Sequence, residues 1–338
     1  MKYISLSISL WVVTGCASSN RGTGDFEFRS WVDWPRFGDS ADALELRGHT
    51  NEVADLIGPL DGSATLTVFT EGNHFPVLVP MISDELSSWS SYHCDQSLAP
   101  DEVLVVTLPQ VMIVKALAEE RIRIGSAVLP LSLDRVYPDV VMGGREPLGN
   151  LAKLGRVRPE AVAFAKHAGL GLLIHRRHIS QIDSLETLAD SDLSVVLATP
   201  EEAGARSQYI ETLDAIIGTD QRERLLRREV SSFPGRLGIQ HRDVPYALLT
   251  GQADVGLVFG HLATFYSGAY PEDLLAIRVP QAKPFGRELY LAQTSDEPSP
   301  AADCFERFVL GQAGNMYPSA GFVSPGEFEF RERIQLTD

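Results

Sequence analysis

The sequence contains few basic residues for its length. Lysine and arginine together number 29 against 45 aspartates and glutamates, which gives the 338-residue chain a formal net charge of -16. A nucleic-acid backbone or an anionic lipid surface needs a basic face on its protein partner, so this deficit excludes both as the main partner. A small anion stays possible, because a few local groups can hold such a ligand whatever the net charge.

The motifs of common enzymes and zinc proteins are also missing. The sequence contains no G-x-S-x-G nucleophile elbow, no H-E-x-x-H, no P-loop and no Rossmann G-x-G-x-x-G. Its cysteines and histidines do not follow a zinc-type spacing, and no serine has a context that would activate it. The sequence therefore predicts a protein that is not an enzyme, with no cofactor and no identifiable metal.

Long apolar runs are absent except at the N-terminus. Residues 1–16 read MKYISLSISLWVVTGC, with Lys2 ahead of a short apolar core that is too short to span a bilayer. Small residues followed by Cys16 are typical of a bacterial lipobox, which predicts a signal peptide over residues 1–15 and lipidation of Cys16. An ordinary secretory signal with an incidental cysteine is the alternative. With lipidation, we expect a lipid anchor alone to hold the protein at the periplasmic face of a bacterial membrane.

Cysteine is scarce in the exported part of the chain. After removal of the signal peptide, and with Cys16 carrying lipid, only Cys94 and Cys304 remain. The two could pair in an oxidising compartment, or Cys304 could be a simple core residue of a helix. Sequence alone does not choose between these possibilities.

Beyond the leader, short β-branched runs alternate with helical patterns. Such alternation predicts an α/β fold, and two sets of elements predict two lobes, each a mostly parallel sheet flanked by helices. Residues 16–62 are rich in Ser, Gly and Asp and are interpreted as the lipidated cysteine, a tether and an N-terminal extension. We assign residues 63–168 with 285–338 to lobe 1, and residues 169–284 to lobe 2.

Several short motifs occur in a recognisable order. They are LTVFTEGN at 66–73, GLGLLI at 169–174, IDSLETL at 182–188, LATP at 197–200, GQADVGLVF at 251–259 and Gly321-Phe322. Over about residues 63–328 this order resembles the type II periplasmic substrate-binding proteins, nearest to the molybdate-binding branch. The resemblance implies a monomeric protein that binds a small molecule or inorganic anion between its lobes. It also implies delivery of an oxyanion such as molybdate or tungstate to the permease of an ABC importer.

In folds of this kind, ligands bind beyond the carboxyl ends of strands, where helix N-termini present free N–H groups. Four strand-to-helix junctions could face one cleft, at residues 70–74, 107–110, 199–206 and 240–244. Together with the end of the second-lobe strand, they offer as candidate ligand-binding residues Thr70, Glu71, Gly72, Asn73, His74, Thr107, Gln110, Thr199, Gly204, Ala205, Arg206, His241, Arg242, Asp243, Val244, Phe259 and His261.

Some of these candidates also suit structural roles. Asn73 could cap a helix, and Thr199 with Glu202 matches a capping box. Arg206 could bind an oxyanion in a bidentate manner or pair with Glu202 four residues earlier. Arg242 is the strongest single candidate for contact with an anion.

The first ligand loop departs from the molybdate branch. That branch usually carries serine there, whereas this chain places Glu71 where an oxyanion would sit. Together with His74, His241 and His261, this residue supports an alternative hypothesis, a metal or metal-complex scavenging protein on the same fold.

Overall fold

The computed structural model describes six stretches of the chain, residues 55–59, 62–124, 127–131, 136–232, 239–241 and 243–337. The predictions for the signal peptide, for Cys16, for most of the extension and for Arg242 therefore lie outside the described residues. Within these stretches no helix combines the length and apolar character that a membrane crossing requires.

The elements of the described residues are listed here in chain order. The strands are β1 (Asp55–Ile57), β2 (Leu66–Thr70), β3 (Val103–Thr107), β4 (Arg121–Ile124), β5 (Ala127–Pro130), β6 (Val140–Gly143), β7 (Glu160–Lys166), β8 (Leu170–His175), β9 (Val195–Val196), β10 (Val255–Phe259), β11 (Leu274–Arg278), β12 (Glu288–Gln293) and β13 (Arg333–Gln335). The helices are α1 (Phe75–Pro80), α2 (Leu86–His93), α3 (Gln110–Glu119), α4 (Arg145–Lys153), α5 (Leu185–Asp190), α6 (Ala203–Ile217), α7 (Thr219–Leu226), α8 (Asp243–Leu249), α9 (Gly260–Ala269) and α10 (Pro300–Ser319).

The first sheet has the strand order β1-β3-β2-β6-β12-β7-β13. Strand β2 pairs in parallel with β3 and β6, and all three are fully buried, as their continuous Val- and Leu-rich sequences predict. Because parallel strands end at the same edge, Thr70, Thr107 and Gly143 lie side by side where the next helices begin. Strand β1 extends this sheet, so the end of the N-terminal extension is an edge strand of lobe 1.

The second sheet has the order β11-β8-β10-β9, and the two-lobed α/β fold is confirmed. The prediction that each sheet is mostly parallel is wrong, since antiparallel pairs outnumber parallel ones in both sheets. The reason lies in the crossings between lobes. Strand β8 begins where β11 ends, with Gly171 opposite Arg278, and β12 begins where β7 ends. Strands that enter and leave a lobe at the same place must run in opposite directions.

Two crossings connect the sheets, residues 167–169 and residues 279–287. They pack so closely that a side chain would not fit between them. A Cβ atom on Gly169 would lie 2.1 Å from the Ala282 carbonyl oxygen, and one on Gly286 would lie 1.8 Å from the His167 carbonyl oxygen. Gly169 also has a φ of +81°, which favours glycine. The hinge between the lobes is therefore a tightly packed pair of crossing segments, residues 167–169 and 279–287.

A disulfide joins Cys94, at the end of α2, to Cys304 of α10. The two residues are 210 positions apart in sequence, and their Cα atoms are 5.8 Å apart. The pairing that the sequence left open therefore lies within lobe 1. It closes a long loop, and such a bond typically stabilises a fold by about 2–4 kcal/mol.

Candidate ligand-binding site

Glu71 follows β2 directly and is buried, with only 4% of its surface exposed. Its Oε2 accepts hydrogen bonds from Asn73 Nδ2 and Gln110 Nε2, both at 3.1 Å. Gln110 begins α3, and its own Oε1 accepts a hydrogen bond from Gly144 N at 2.9 Å. Three strand-to-helix junctions of the first sheet therefore converge on one carboxylate.

The Glu71 carboxylate is ionised at neutral pH. Burial by itself would raise its pKa, but the adjacent His167, His74 and Gln110 side chains outweigh burial and lower this pKa to about 2. His167 Nε2 lies 3.5 Å from the second oxygen, Oε1, which is too long for a hydrogen bond. Oε1 is buried and has no hydrogen-bond partner among the described residues. The candidate cleft thus holds a fixed negative charge, and the second carboxylate oxygen faces His167 without forming a hydrogen bond to it.

His167 was not among the predicted site residues, although it occupies the first crossing between the lobes. It is 3% exposed, and neither ring nitrogen has a hydrogen-bond partner in the described part of the chain. Its ring packs against Phe259 and His261, with centroid distances of 4.6 and 4.9 Å. A buried imidazole without partners is costly for folding alone, which makes His167 a candidate for ligand contact.

His261 is the second residue of α9, after the last strand residue Phe259, and it is 1% exposed. Its Nε2 donates a hydrogen bond to the Asn73 carbonyl oxygen at 2.8 Å, which links the two lobes. Burial lowers its pKa well below the usual value, so the ring is neutral and its Nδ1 is an acceptor. This Nδ1 has no partner among the described residues. Phe322 stacks on the ring at 4.0 Å.

His74 has a structural role that occupies both of its nitrogens. Nε2 lies 2.6 Å from Thr70 Oγ1, and Nδ1 lies 2.7 Å from the Tyr317 hydroxyl at the end of α10. Burial lowers the pKa of His74 to about 4, so the ring is neutral at pH 7. His74 fixes the Glu71 loop from behind, and it presents no free nitrogen to a ligand.

The second-lobe candidates around Arg206 form their hydrogen bonds and ion pairs with other protein groups. Arg206 makes a bidentate ion pair with Glu229, at 2.6 and 2.8 Å, and donates to the Ala198 carbonyl oxygen at 2.9 Å. Glu229, 23 residues along the chain from Arg206, is a partner that neither sequence alternative for Arg206 named. Thr199 Oγ1 bonds to the main chain of Ile239 rather than completing a capping box. Gly204 is exposed and Ala205 is buried in the first turn of α6.

His241 lies on the flank of the cluster and is buried. Its Nε2 bonds to the Tyr209 hydroxyl, and its Nδ1 lies 3.2 Å from Glu202 Oε1. Its ring centroid is 4.9 Å from that of Phe259. Asp243 Oδ2 accepts from the main-chain N of Gln240 at 3.0 Å, which is a local turn contact at the start of α8.

The structure thus divides the predicted residues into three groups. Glu71, Asn73, Gln110, Phe259 and His261 meet at the hinge. A second group lies at strand ends or in the surrounding core and comprises Thr70, Gly72, His74, Thr107 and Val244. The third group lies in lobe 2, around Arg206 and His241. His, Cys, Asp and Glu side chains of the described residues do not form a group of three or more with the arrangement of a metal site.

The sheets, the hinge and the buried polar cluster between them define a two-lobed binding protein of the type II periplasmic class. Residues 124–322, more than half of the chain, match the family model of the bacterial extracellular solute-binding proteins. The chain belongs to this family, whose members bind solutes for ABC transport rather than catalyse reactions. The prediction that the protein is not an enzyme is confirmed.

Solved structures share this fold at low sequence identity. The substrate-binding protein of an ABC transporter from Agrobacterium tumefaciens is 12% identical, with a TM-score of 0.54 over 83% of this chain and 84% of that one. The sulfate-binding protein SubI from Mycobacterium tuberculosis is 17% identical, with a TM-score of 0.52 over 77% and 86%. The substrate-binding domain of a putative molybdenum ABC transporter from Clostridium difficile is 10% identical, with a TM-score of 0.51 over 77% and 98%. A search of curated proteins returned no match.

Proposed function

We propose that this solute-binding protein is an exported lipoprotein that captures a small oxyanion between its lobes and delivers it to an ABC importer. One observation carries the proposal. Buried polar atoms without partners come together from the Glu71 loop of lobe 1, the hinge residue His167 and the lobe 2 residue His261. Because unpaired buried polar atoms are costly, their convergence at the hinge favours a ligand that would complete them.

The surroundings of the cluster support an oxyanion. Helices α3, α4 and α9 begin at this edge of the two sheets, and helix N-termini direct N–H groups and a positive dipole end at bound anions. Two proteins of the same fold, a sulfate-binding protein and the substrate-binding domain of a putative molybdenum transporter, support a small inorganic anion as the ligand. Molybdate and tungstate are the oxyanions that the sequence resemblance favours, and Arg242 stays a predicted contact.

We also propose the organisation of the mature protein. Cleavage after residue 15 leaves Cys16 to carry lipid, and residues 16–62 tether a monomer to the periplasmic face of the membrane. Lobe 1 comprises residues 63–168 and 285–338 together with the edge strand β1, and lobe 2 comprises residues 169–284. The strands of each sheet fall within these ranges, which supports the division.

Isothermal titration calorimetry on residues 17–338 tests the ligand proposal. The panel consists of molybdate, tungstate, sulfate, phosphate, small carboxylates and divalent metals. We expect saturable heat with at least one oxyanion and none with the metals. Heat only with metals would favour the scavenging alternative, and a silent panel would contradict small-oxyanion capture.

Metabolic labelling with a radioactive fatty acid tests the anchor separately. We expect the full chain to incorporate label and to fractionate with membranes, because the lipobox directs acylation to Cys16. The Cys16→Ala variant is the matched control and should carry no label. Label retained in that variant would contradict lipidation at Cys16.

A further inference from the structure

A pocket lined by apolar side chains opens on lobe 1, between helix α3 and the β4–β5 hairpin. Its volume is about 150 Å³, and a cavity of about that size can hold one benzene ring. The lining includes the buried side chains of Leu108, Ala116 and Ile122, with the half-buried Met112 beside them. The pocket therefore has the size and the lining to accept an aromatic side chain.

The edge of this pocket leaves apolar surface in contact with solvent. Val128 of the hairpin lines the pocket and is 53% exposed, and Val111 of α3, next to the lining, is 64% exposed. The charged groups around them are Lys115 and the Glu119–Arg121 ion pair. An apolar surface with a charged rim is typical of an interaction site.

The N-terminal part of the chain enters the fold beside this pocket. Strand β1 runs antiparallel to β3, with Asp55 opposite Thr107. The pocket residue Leu108 follows Thr107 directly, and α3 begins soon after it, at Gln110. The chain that precedes β1 therefore leaves the sheet at the end of β3 from which the pocket helix starts.

Residues 26–37, FEFRSWVDWPRF, provide a suitable occupant. The segment holds five aromatic side chains, four of which recur at every third position, namely Phe28, Trp31, Trp34 and Phe37. Large aromatic side chains gain most of their stabilisation from burial, so a fully solvated tether has no use for them. Their concentration in so short a segment favours a docked segment over a plain linker.

We infer that residues 26–37 dock on lobe 1 and insert an aromatic ring into the pocket between α3 and the hairpin. The 17 residues between Phe37 and Asp55 span up to about 55 Å when extended, well beyond the roughly 15 Å length of α3. A flexible connection of this kind gives an effective concentration on the order of millimolar. A contact too weak to join separate molecules therefore persists within one chain.

Docking shortens the tether between the fold and the N-terminus. The undocked residues 17–54 could span about 130 Å, whereas residues 17–25 alone span about 35 Å. With Cys16 lipidated as proposed above, docking keeps lobe 1 close to the membrane. The docking itself depends on neither the lipid nor the ligand.

A wider groove on lobe 2 suits the segment less well. It lies between α6 and Phe285 and has a volume of about 920 Å³. It is on the other lobe from β1, and four of its lining side chains are polar or charged, namely Arg206, Ser207, Glu211 and Asp214. This groove provides a defined alternative site for the experiment.

Hydrogen exchange with mass spectrometry on residues 17–338 tests the docking. In a Trp31→Ser/Trp34→Ser variant we expect peptides from residues 108–130 to exchange faster than in wild type. Loss of a buried aromatic ring should lower the docking equilibrium by about tenfold or more. Equal exchange of these peptides in the two proteins would overturn the inference. A difference confined to α6 would also overturn it, since the segment would then occupy the groove on lobe 2.

Tryptophan fluorescence of the same protein gives a second readout. Trp89→Phe leaves Trp31 and Trp34 as its only tryptophans, so that quenching by acrylamide reports on the segment alone. Adding Val128→Glu should increase quenching, because the substitution places a charge in the pocket. Ile179→Glu on lobe 2 is the matched control, with 50% exposure in wild type, and should leave quenching unchanged. Equal quenching with either substitution would contradict insertion at this pocket.

Two further outcomes would assign the segment to another partner. Quenching that falls as protein concentration rises, together with dimers in analytical ultracentrifugation, would place the segment on a second copy and overturn docking within one chain. Tryptophans protected only after addition of phosphatidylethanolamine–phosphatidylglycerol vesicles would place it on a lipid surface, with the same consequence. None of the other readouts needs an oxyanion or a lipid, so failure of the proposed function would leave them unchanged.

Discussion

The Glu71 cluster and the Arg206–Glu229 pair are two buried charged groups with different degrees of satisfaction. Arg206 uses its guanidinium on a bidentate partner and on the Ala198 carbonyl oxygen. Glu71 has one oxygen fully bonded and one without a hydrogen bond among the described residues. The difference teaches that burial and charge alone do not mark a ligand site. Hydrogen-bonding capacity that the protein itself leaves unused is the more informative property.

Breaking the Arg206 pair should have the largest effect on stability. Arg206→Ala leaves the Glu229 carboxylate without its bidentate partner, and loss of one member of such a pair costs about 3 kcal/mol of unfolding free energy. Denaturant unfolding measures this cost, and calorimetry of the same variant should show oxyanion affinity changed by less than about threefold. A large loss of affinity at unchanged stability would mean that Arg206 contacts the ligand after all.

The pH dependence of the unfolding free energy distinguishes the contribution of His74 from that of Glu71. His74 has a pKa of about 4 in the folded chain against an ordinary value of 6.5, so the unfolded chain binds a proton first as pH falls. His74 therefore lowers stability as pH falls from about 6.5 to 4, by about 2 kcal/mol at pH 5, and His261, whose pKa burial also lowers, adds to this loss. Glu71, lowered from 4.5 to about 2, loses its stabilising contribution only below about pH 4.5.

Urea unfolding at pH 7 and pH 5 measures this dependence. The His74→Gln variant is the control, because its amide does not titrate, and its stability should change less than that of wild type between the two pH values. An equal slope in both proteins would contradict the assignment to His74.

The smallest effect is expected at the bond between lobes. His261→Phe keeps the stacking on Phe322 but removes the hydrogen bond to Asn73 and the free Nδ1, so oxyanion affinity should fall about tenfold. Tyr209→Phe, which removes a hydroxyl bonded to His241 on the flank, should change affinity less than about twofold. Equal losses of oxyanion affinity in the two variants would contradict the distinction between His261 at the hinge and His241 on the flank.

Much of the fold and the Glu71 loop could be predicted because strands such as β2, β3 and β10 are continuous apolar runs followed by turn residues. Strand β7 could not, since its alanine-rich sequence EAVAFAK has weak strand propensity and is held by pairing with β12 and β13. Missing β7 also hid His167, the residue that follows it.

The remaining misses depend on contacts distant in sequence. Helix α10 continues to Ser319, and its last turn brings Tyr317 against His74. Arg206 and Glu229 are 23 residues apart, so no helical spacing indicated their pairing. Pairings of this kind are set by tertiary packing, which local pattern does not report.

Histidine-ring NMR during an oxyanion titration tests the central claim most directly. The protein, residues 17–338, would be labelled with 15N at its eight histidines, and molybdate would be added. His167→Gln and His261→Gln variants assign the two hinge signals. The account predicts that these two signals shift with saturation, while those of the exposed His93 and of the fully bonded His74 stay in place. Saturable binding by calorimetry that leaves both hinge signals unmoved would contradict a ligand site at this cluster.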